Sequence, residues 1–331
     1  MKIGFFELEG WEEKIARENL PGHDLYFSDM AITEEELPER NDFEIISIFV
    51  TSRITPKVLE YFPNLKMITT NSTGFDHIDI AACKAKGIKV GYVPGYGNNT
   101  VAELAFGLIL NLTRKIYQAI DNIKERGSFS LEGLRGTDIK GKTIGIIGTG
   151  RIGREMARMA NGFGMKIIAF DVIEDAAAAK EFGFSYVPLE ELLKQSDIVS
   201  IHCPLTEETR HLINVGNIGL MKKGAYLVNT ARGPIVETDA LVKALESGIL
   251  AGAGLDVLEE EREMAGGGTG PSGEAMKVIL ENHALMKMPN VLITPHNAFN
   301  TDEAVRRILD ATLGNISGFA NGAAEKGNFV E

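Results

Sequence analysis

The stretch "TIGIIGTGRIGREMARMANGFGMKIIAFD", from Thr143 to Asp171, constrains this chain more than any other. An apolar run reads as a strand, Gly148, Gly150 and Gly153 follow it, a helical pattern comes next, and a second strand ends in Asp171. Each glycine has its own task in such a unit. Gly148 permits the tight turn, Gly150 lets backbone approach a pyrophosphate, and Gly153 lets helix and strand pack closely. The helix N-terminus adds free N–H groups and the positive end of a dipole. Asp171, eighteen residues beyond Gly153, can accept hydrogen bonds from ribose hydroxyls. Its charge opposes a 2′-phosphate, and "DVIED" holds no arginine or lysine to compensate, so NAD is favoured over NADP.

The rest of the chain repeats that rhythm. With 331 residues it exceeds the size at which one hydrophobic core keeps growing, so two domains are expected. In the first, "KIGFF", "EIISIFV", "LKMITT" and "IKVGYV" alternate with helical stretches such as "ITPKVLEYF" and "DIAACKAKG". Such alternation predicts a parallel sheet. A single long helix is expected from about Val101 to Arg126, with Thr100 as N-cap and Gly127 just past the end. Six further strands are expected in "KTIGIIG", "MKIIAFD", "DIVSIHC", "AYLVNT", "LAGAGLDV" and "NVLITPH". The predicted organisation is a first domain over residues 1–99, a dinucleotide-binding domain over 100–294, and a return of 295–331 to the first domain. The Gly-rich "AGGGTGPSG", residues 265–273, reads as a flexible loop.

Composition removes several classes of function. Hydrophobic residues make up 44% and charged residues 24%, as in ordinary globular proteins, which argues against disorder. A net charge of -12, with no basic run, disfavours nucleic acid as a partner. No segment approaches the ~20 apolar residues that span a bilayer, and "MKIGFFELEG" lacks an apolar stretch of signal-peptide length. Cys83 and Cys203 have neither metal-ligand spacing nor a disulfide-dense context, so a reducing, cytoplasmic setting without a metal site is expected.

A nicotinamide enzyme needs from its protein a substrate anchor and a proton donor. Of six histidines, His202 and His296 stand at expected C-terminal strand ends, where ligands bind in open α/β sheets, and His77 has a similar place in the first domain. Any of them serves equally as a packed or surface residue. The acidic run Glu259, Glu260 and Glu261 fits a solvated turn as well as a site, and Arg232 fits a surface ion pair.

At this point whole motifs carry a resemblance. "GTGRIG", "NTARGPIVETDALVKALESG", "AGAGLDVLEEE", "VLITPHNAF", and earlier "NSTGFDHIDI" and "TVAEL", occur in the order seen in the D-isomer-specific 2-hydroxyacid dehydrogenases, which the chain resembles over nearly its whole length. The resemblance implies a Rossmann NAD-binding domain and a smaller flavodoxin-like substrate domain. It implies a catalytic triad of Arg232, from the N-T-A-R-G motif, Glu261, five residues after Asp256, and His296, after Pro295. Arg232 would grip a substrate carboxylate with its planar fork, His296 would exchange a proton with the reacting oxygen, and Glu261 would favour the imidazolium. Further cofactor contacts are implied for Arg151, Ile152, Cys203, Pro204, Thr209, Thr230, Ala231 and Asp256. Cys203 reads equally as a small buried apolar residue. Substrate contacts are implied for Thr73, Gly74, Tyr96 and Phe299, and a homodimer for the assembly.

Within the family the D-lactate dehydrogenase branch is most similar, through "GFDHID", Phe299 and "GNFV", which makes pyruvate the expected keto acid. "GYGNNTVAE" and Asn300 depart from that branch, and Arg53 would suit a glyoxylate or hydroxypyruvate reductase instead. A formate dehydrogenase is disfavoured, because that branch pairs its histidine with glutamine. An NAD(H)-sensing corepressor keeps the same triad and is the rival from another class.

Overall fold

In the computed structural model, described for residues 1–264, 273–322 and 327–330, the chain divides into two compact units. One comprises residues 1–96 and 301–331, the other 97–300. Residues 97–99, expected in the first domain, and 295–300, expected in the return segment, belong here to the second unit.

The first unit holds five parallel strands, β1 (Lys2–Phe5), β2 (Asp24–Phe27), β3 (Ile45–Ile48), β4 (Met67–Thr70) and β5 (Lys89–Gly91), in the order β2-β1-β3-β4-β5. That is the flavodoxin-like arrangement. Strand β2, "DLYF", was not anticipated, because an edge strand carrying an exposed Asp24 shows little apolar pattern. Helices α1 (Gly10–Asn19), α2 (Pro56–Tyr61) and α3 (Ile80–Ala85) connect these strands.

The second unit opens with α4 (Asn98–Arg114) and α5 (Ile116–Arg126). The expected single helix is therefore broken at Lys115, whose φ is +52°. Asn111 accepts from the Tyr117 amide at 2.8 Å and so starts α5, while the Thr113 carbonyl is taken by the Thr137 amide at 2.7 Å. No glycine or proline marks that break in the sequence. Gly97, not Thr100, is the N-cap, and Thr100 is buried inside the helix; Gly127 does close α5 in the left-handed region.

Seven parallel strands follow: β6 (Thr143–Ile147), β7 (Lys166–Phe170), β8 (Ser185–Tyr186), β9 (Ile198–Ile201), β10 (Ala225–Asn229), β11 (Leu250–Leu255) and β12 (Val291–Ile293). The two-residue β8 is too short to signal itself in sequence. Helices α6 (Arg151–Gly162), α7 (Ala176–Phe182), α8 (Leu189–Gln195), α9 (Thr238–Glu246), α10 (Glu261–Met264) and α11 (Gly273–Lys287) accompany them. The expected loop over 265–273 lies outside the described residues except for Gly273, which opens α11. The sheet order β12-β11-β10-β9-β6-β7-β8 reverses between β6 and β9, and ligands of open α/β sheets bind beyond the carboxyl ends of strands at such a switch point. Central strands read as unbroken apolar runs because helices cover both sheet faces: Leu192, Leu227, Leu241 and Leu255 fill one side, and Ile109, Ile144, Met156 and Ile167 the other.

The last helix, α12 (Asp302–Ala320), packs in the first unit. Thr301 caps it through the Ala304 amide at 3.2 Å. Its Leu309, Leu313 and Ile316 bury against Ile3, Phe5 and Met67, each contributing about 2 kcal/mol by removal from water. Among the described residues no helix is long and apolar enough to cross a membrane.

Candidate active site

The glycine turn is built as its spacing demands. Gly148 sits at φ +92°, and a Cβ there would lie 2.6 Å from the Cys203 amide nitrogen; one on Gly153 would lie 2.0 Å from the Gly148 carbonyl oxygen. A Cβ on Gly150, by contrast, meets nothing within 4 Å, so the space in front of α6 is open. No side chain caps α6, leaving its first-turn N–H groups, from Arg151, Ile152 and Gly153, facing that space. Asp171 ends β7 with Oδ2 accepting from the Thr149 amide at 2.6 Å and hydroxyl at 3.0 Å, and Oδ1 accepting from the Ile173 amide at 3.2 Å. Arg154, whose Nε donates to the Thr149 carbonyl at 2.9 Å, is engaged by Asp175 at 2.8 Å.

Opposite the turn, β9 delivers His202, Cys203 and Pro204, and β10 delivers Thr230 and Ala231. The Thr209 hydroxyl donates to the Pro204 carbonyl at 2.7 Å and closes that loop. His202 is half-buried, with Nε2 2.9 Å from Ser200 Oγ and a buried Nδ1 that has no partner among the described residues, and enclosure of the ring pushes its pKa down to about 4. It is a neutral packed ring, which removes one of the two leading histidines as a proton donor. Burial also pushes the Cys203 thiol up to about 12, so Cys203 acts as a small apolar group. The buried Thr230 hydroxyl likewise has no partner among the described residues. An open Gly150 face, an uncapped helix and orphaned polar atoms at adjoining strand ends fit a dinucleotide.

Arg232, Glu261 and His296 lie on the loops after three neighbouring strands, β10, β11 and β12. Asn229 shapes the first loop, donating to the Arg232 carbonyl at 2.9 Å and accepting from the Ala231 amide at 3.0 Å. Gly233 then presses against the second loop: a Cβ there would lie 2.0 Å from the Leu258 carbonyl carbon. Arg232 Nη1 donates to the Ala231 carbonyl at 2.8 Å. Glu261 begins α10, with Oε1 2.9 Å from His296 Nδ1 and Oε2 accepting from the Leu258 amide at 3.2 Å. Burial raises the Glu261 pKa, but the His296 hydrogen bond and the charges of His296 and Arg232 outweigh it, holding the carboxyl below its ordinary range. An ionised carboxylate only accepts, so Nδ1 carries a proton and Nε2 faces away from Glu261.

His296 has φ +50°, a strained conformation for a residue with a Cβ. Asp256 holds it there. The Asp256 carbonyl accepts from the His296 amide at 2.8 Å, and its carboxylate accepts from the Thr294 hydroxyl and from the Asn297 and Ala298 amides at 2.8 and 2.9 Å. Burial raises the Asp256 pKa against those hydrogen bonds. With His296 32% and Glu261 35% exposed, the pair is reachable from outside.

The acidic run is not a solvated turn. Glu259 is buried, with its carboxylate accepting from the Thr238 amide and hydroxyl and bonded to His211 Nε2. Sequence reasoning missed this set and Asn229; the available signal was "RG" at Gly233, whose close approach requires a partner loop. In the first unit, Thr73 donates to the Val93 carbonyl at 2.8 Å, the Gly74 carbonyl accepts from Ser72, and the Tyr96 carbonyl accepts from Arg307. His77 is buried on Thr70 at 3.0 Å, Arg53 is exposed, and Phe299 is half-buried in the second unit. No group of three or more His, Cys, Asp or Glu able to hold a metal occurs among the described residues.

Residues 106–298 match the model of the D-isomer specific 2-hydroxyacid dehydrogenase NAD binding domain. The chain is 37% identical to a D-lactate dehydrogenase of Escherichia coli, over 97% of this chain and 98% of that one. It is 42% identical to a glyoxylate reductase of Thermofilum pendens, over 86% and 80%. Among solved structures, the D-lactate dehydrogenase of Aquifex aeolicus complexed with NAD and lactic acid superposes with a TM-score of 0.88 at 38% identity, covering 99% and 98% of the two chains.

Proposed function

Because the chain belongs to the D-isomer-specific 2-hydroxyacid dehydrogenase family, and is an NAD-dependent enzyme, we propose that it reduces pyruvate to D-lactate, with Arg232 as anchor and His296 with Glu261 as acid and base. The observation that carries this reading is the 2.9 Å contact between His296 Nδ1 and the Glu261 carboxylate, on the loop that packs against Gly233 beside Arg232.

Bound NADH supplies the hydride that the carbonyl carbon accepts. The Arg232 guanidinium binds the keto acid's carboxylate through two parallel N–H donors and so aims that carbon. His296 Nε2 gives its proton to the carbonyl oxygen and takes it back in the reverse direction. The Glu261 carboxylate keeps Nδ1 protonated and the ring oriented. Thr73, Gly74, Tyr96 and Phe299 contact the substrate. Gly148, Gly150, Arg151, Ile152, Gly153, Asp171, Cys203, Pro204, Thr209, Thr230, Ala231 and Asp256 serve the cofactor, with Asp171 at the ribose. The enzyme works in the cytoplasm, where its free Cys83 and Cys203 stay reduced. It acts as a homodimer through α5, which buries no residue of its own and exposes Ile116, Tyr117, Ile120 and Ile123. The variant Ile120→Glu/Ile123→Glu is expected to be monomeric by light scattering; an unchanged dimer rejects that face.

Similarity to a glyoxylate reductase makes glyoxylate the rival substrate. NADH oxidation is to be followed with pyruvate, hydroxypyruvate, glyoxylate, 2-ketoisocaproate and phenylpyruvate, and the pyruvate product assigned by chirality. The highest kcat/KM for pyruvate, a D product and preference for NADH over NADPH are expected. A higher value for glyoxylate or hydroxypyruvate moves the assignment there, and no turnover with any of them favours an NAD(H)-sensing protein.

A further inference from the structure

Two carboxylates, two residues apart, take different partners. Glu261 meets His296, whereas Glu259 turns inward: Oε2 accepts from the Thr238 amide at 2.9 Å and hydroxyl at 2.7 Å, and Oε1 lies 2.7 Å from His211 Nε2. The Glu259 carbonyl also accepts from Asn282 Nδ2 at 2.7 Å, which ties the same residue to α11. One side chain, only 6% exposed, therefore joins three segments: the loop after β9 that carries His211, the start of α9 that follows the Arg232 loop, and the β11 loop that leads to Glu261.

The backbone between the two carboxylates is strained. Glu260 has φ +52°, and His211, at the far end of the Glu259 contact, has φ +50°. Left-handed residues with a Cβ cost on the order of 1 kcal/mol each and persist only where their surroundings over-determine them. The Glu259 contacts supply that determination on one side of Glu260, as the Leu258 amide on Glu261 does on the other.

We propose that Glu259, held by Thr238 and His211, is a positioning residue for the reaction: it fixes the left-handed turn at Glu260 and thereby the point at which Glu261 meets His296. This rests on the acid–base reading of that pair. A carboxylate suits the post because each oxygen takes a different partner, and a shift of reacting groups by about 1 Å can cost ~10²-fold in rate.

The test uses the full-length enzyme with Glu259→Gln, Thr238→Ser and Thr238→Val. Glu259→Gln is expected to lower kcat with pyruvate by roughly 10-fold or more, within the range small misplacements cost, while the NADH Kd from fluorescence titration stays within about 2-fold. Hydrogen exchange at residues 257–261 should quicken with the sheet strands unaffected. Thr238→Ser, which keeps the hydroxyl, should retain kcat, and Thr238→Val should lose it alongside Glu259→Gln. The proposal is overturned if Glu259→Gln keeps wild-type kcat, if its losses are matched by NADH binding and protection throughout the unit, or if Thr238→Ser and Thr238→Val behave alike. Exchange needs no substrate. A wild type inert towards every keto acid would end the acid–base reading, whereas unaltered exchange at 257–261 in Glu259→Gln would end this one.

Discussion

His296 and Arg232 are asked for separate tasks, and their substitution should separate kinetically. Replacing His296 with Ala removes the proton donor without touching the glycine turn, so kcat should fall by ~10²-fold or more with NADH binding nearly intact. Stopped-flow turnover and fluorescence titration read the two quantities, and unimpaired turnover ends the assignment. Arg232→Lys keeps the charge but loses the planar fork, so kcat/KM for the keto acid should drop while the NADH Kd holds; an unchanged kcat/KM removes the anchor role. The choice among candidate side chains was only partly legible. His202 and His296 stand alike at strand ends in the sequence, and their partners separate them: one ring lies on the Ser200 hydroxyl with its pKa pushed down to about 4, the other on a carboxylate. Periodicity alone left Glu259 and Glu261 indistinct, because alternation of inward and outward directions along a strained loop leaves no periodic signature; the resemblance, by its spacing from Asp256, singled out Glu261.

At the scale of elements, the strand–turn–helix unit from Thr143 to Asp171 was readable because its constraints are local. Its three glycines make distinct demands, so single substitutions to alanine should have opposite signatures. Gly153→Ala forces a Cβ to 2.0 Å from the Gly148 carbonyl oxygen and should lower the thermal unfolding midpoint by several degrees, the shift expected for a backbone clash of a few kcal/mol. Gly150→Ala meets nothing within 4 Å and should leave that midpoint unchanged while weakening NADH binding. Calorimetry with and without NADH measures both, and equal destabilisation by the two variants would contradict the assigned roles. The helix break at Lys115 was not readable, since it depends on Asn111 capping α5 and on Thr137 reaching the Thr113 carbonyl, neither of which leaves a mark in composition. Strands β2 and β8 escaped because short edge strands bury too little to show a pattern.

At the scale of the molecule, the half-buried His202 links stability to pH. Its folded pKa of about 4 lies below the ordinary 6.5, so below 6.5 the unfolded chain binds a proton that the folded one refuses. Stability is thus expected to fall as pH drops from 6.5 towards 4, by on the order of 3 kcal/mol, and to level off below that. Denaturant midpoints across this window should decline more steeply for the wild type than for His202→Gln, and parallel curves would show that His202 is not held neutral. The sequence by itself determined the two-sheet α/β class and the dinucleotide turn, since each follows from periodicity, length or glycine spacing within local stretches. The family motifs pointed to Glu261 as the partner of His296, but only the tertiary structure brings the two into contact and gives the neighbouring Glu259 to His211. The residues concerned are distant in sequence, and it is the parallel pairing of β10 with β11 and of β11 with β12 that sets their three carboxyl ends side by side. That pairing is chosen by burial on both faces of the whole sheet, a long-range property that no local pattern encodes.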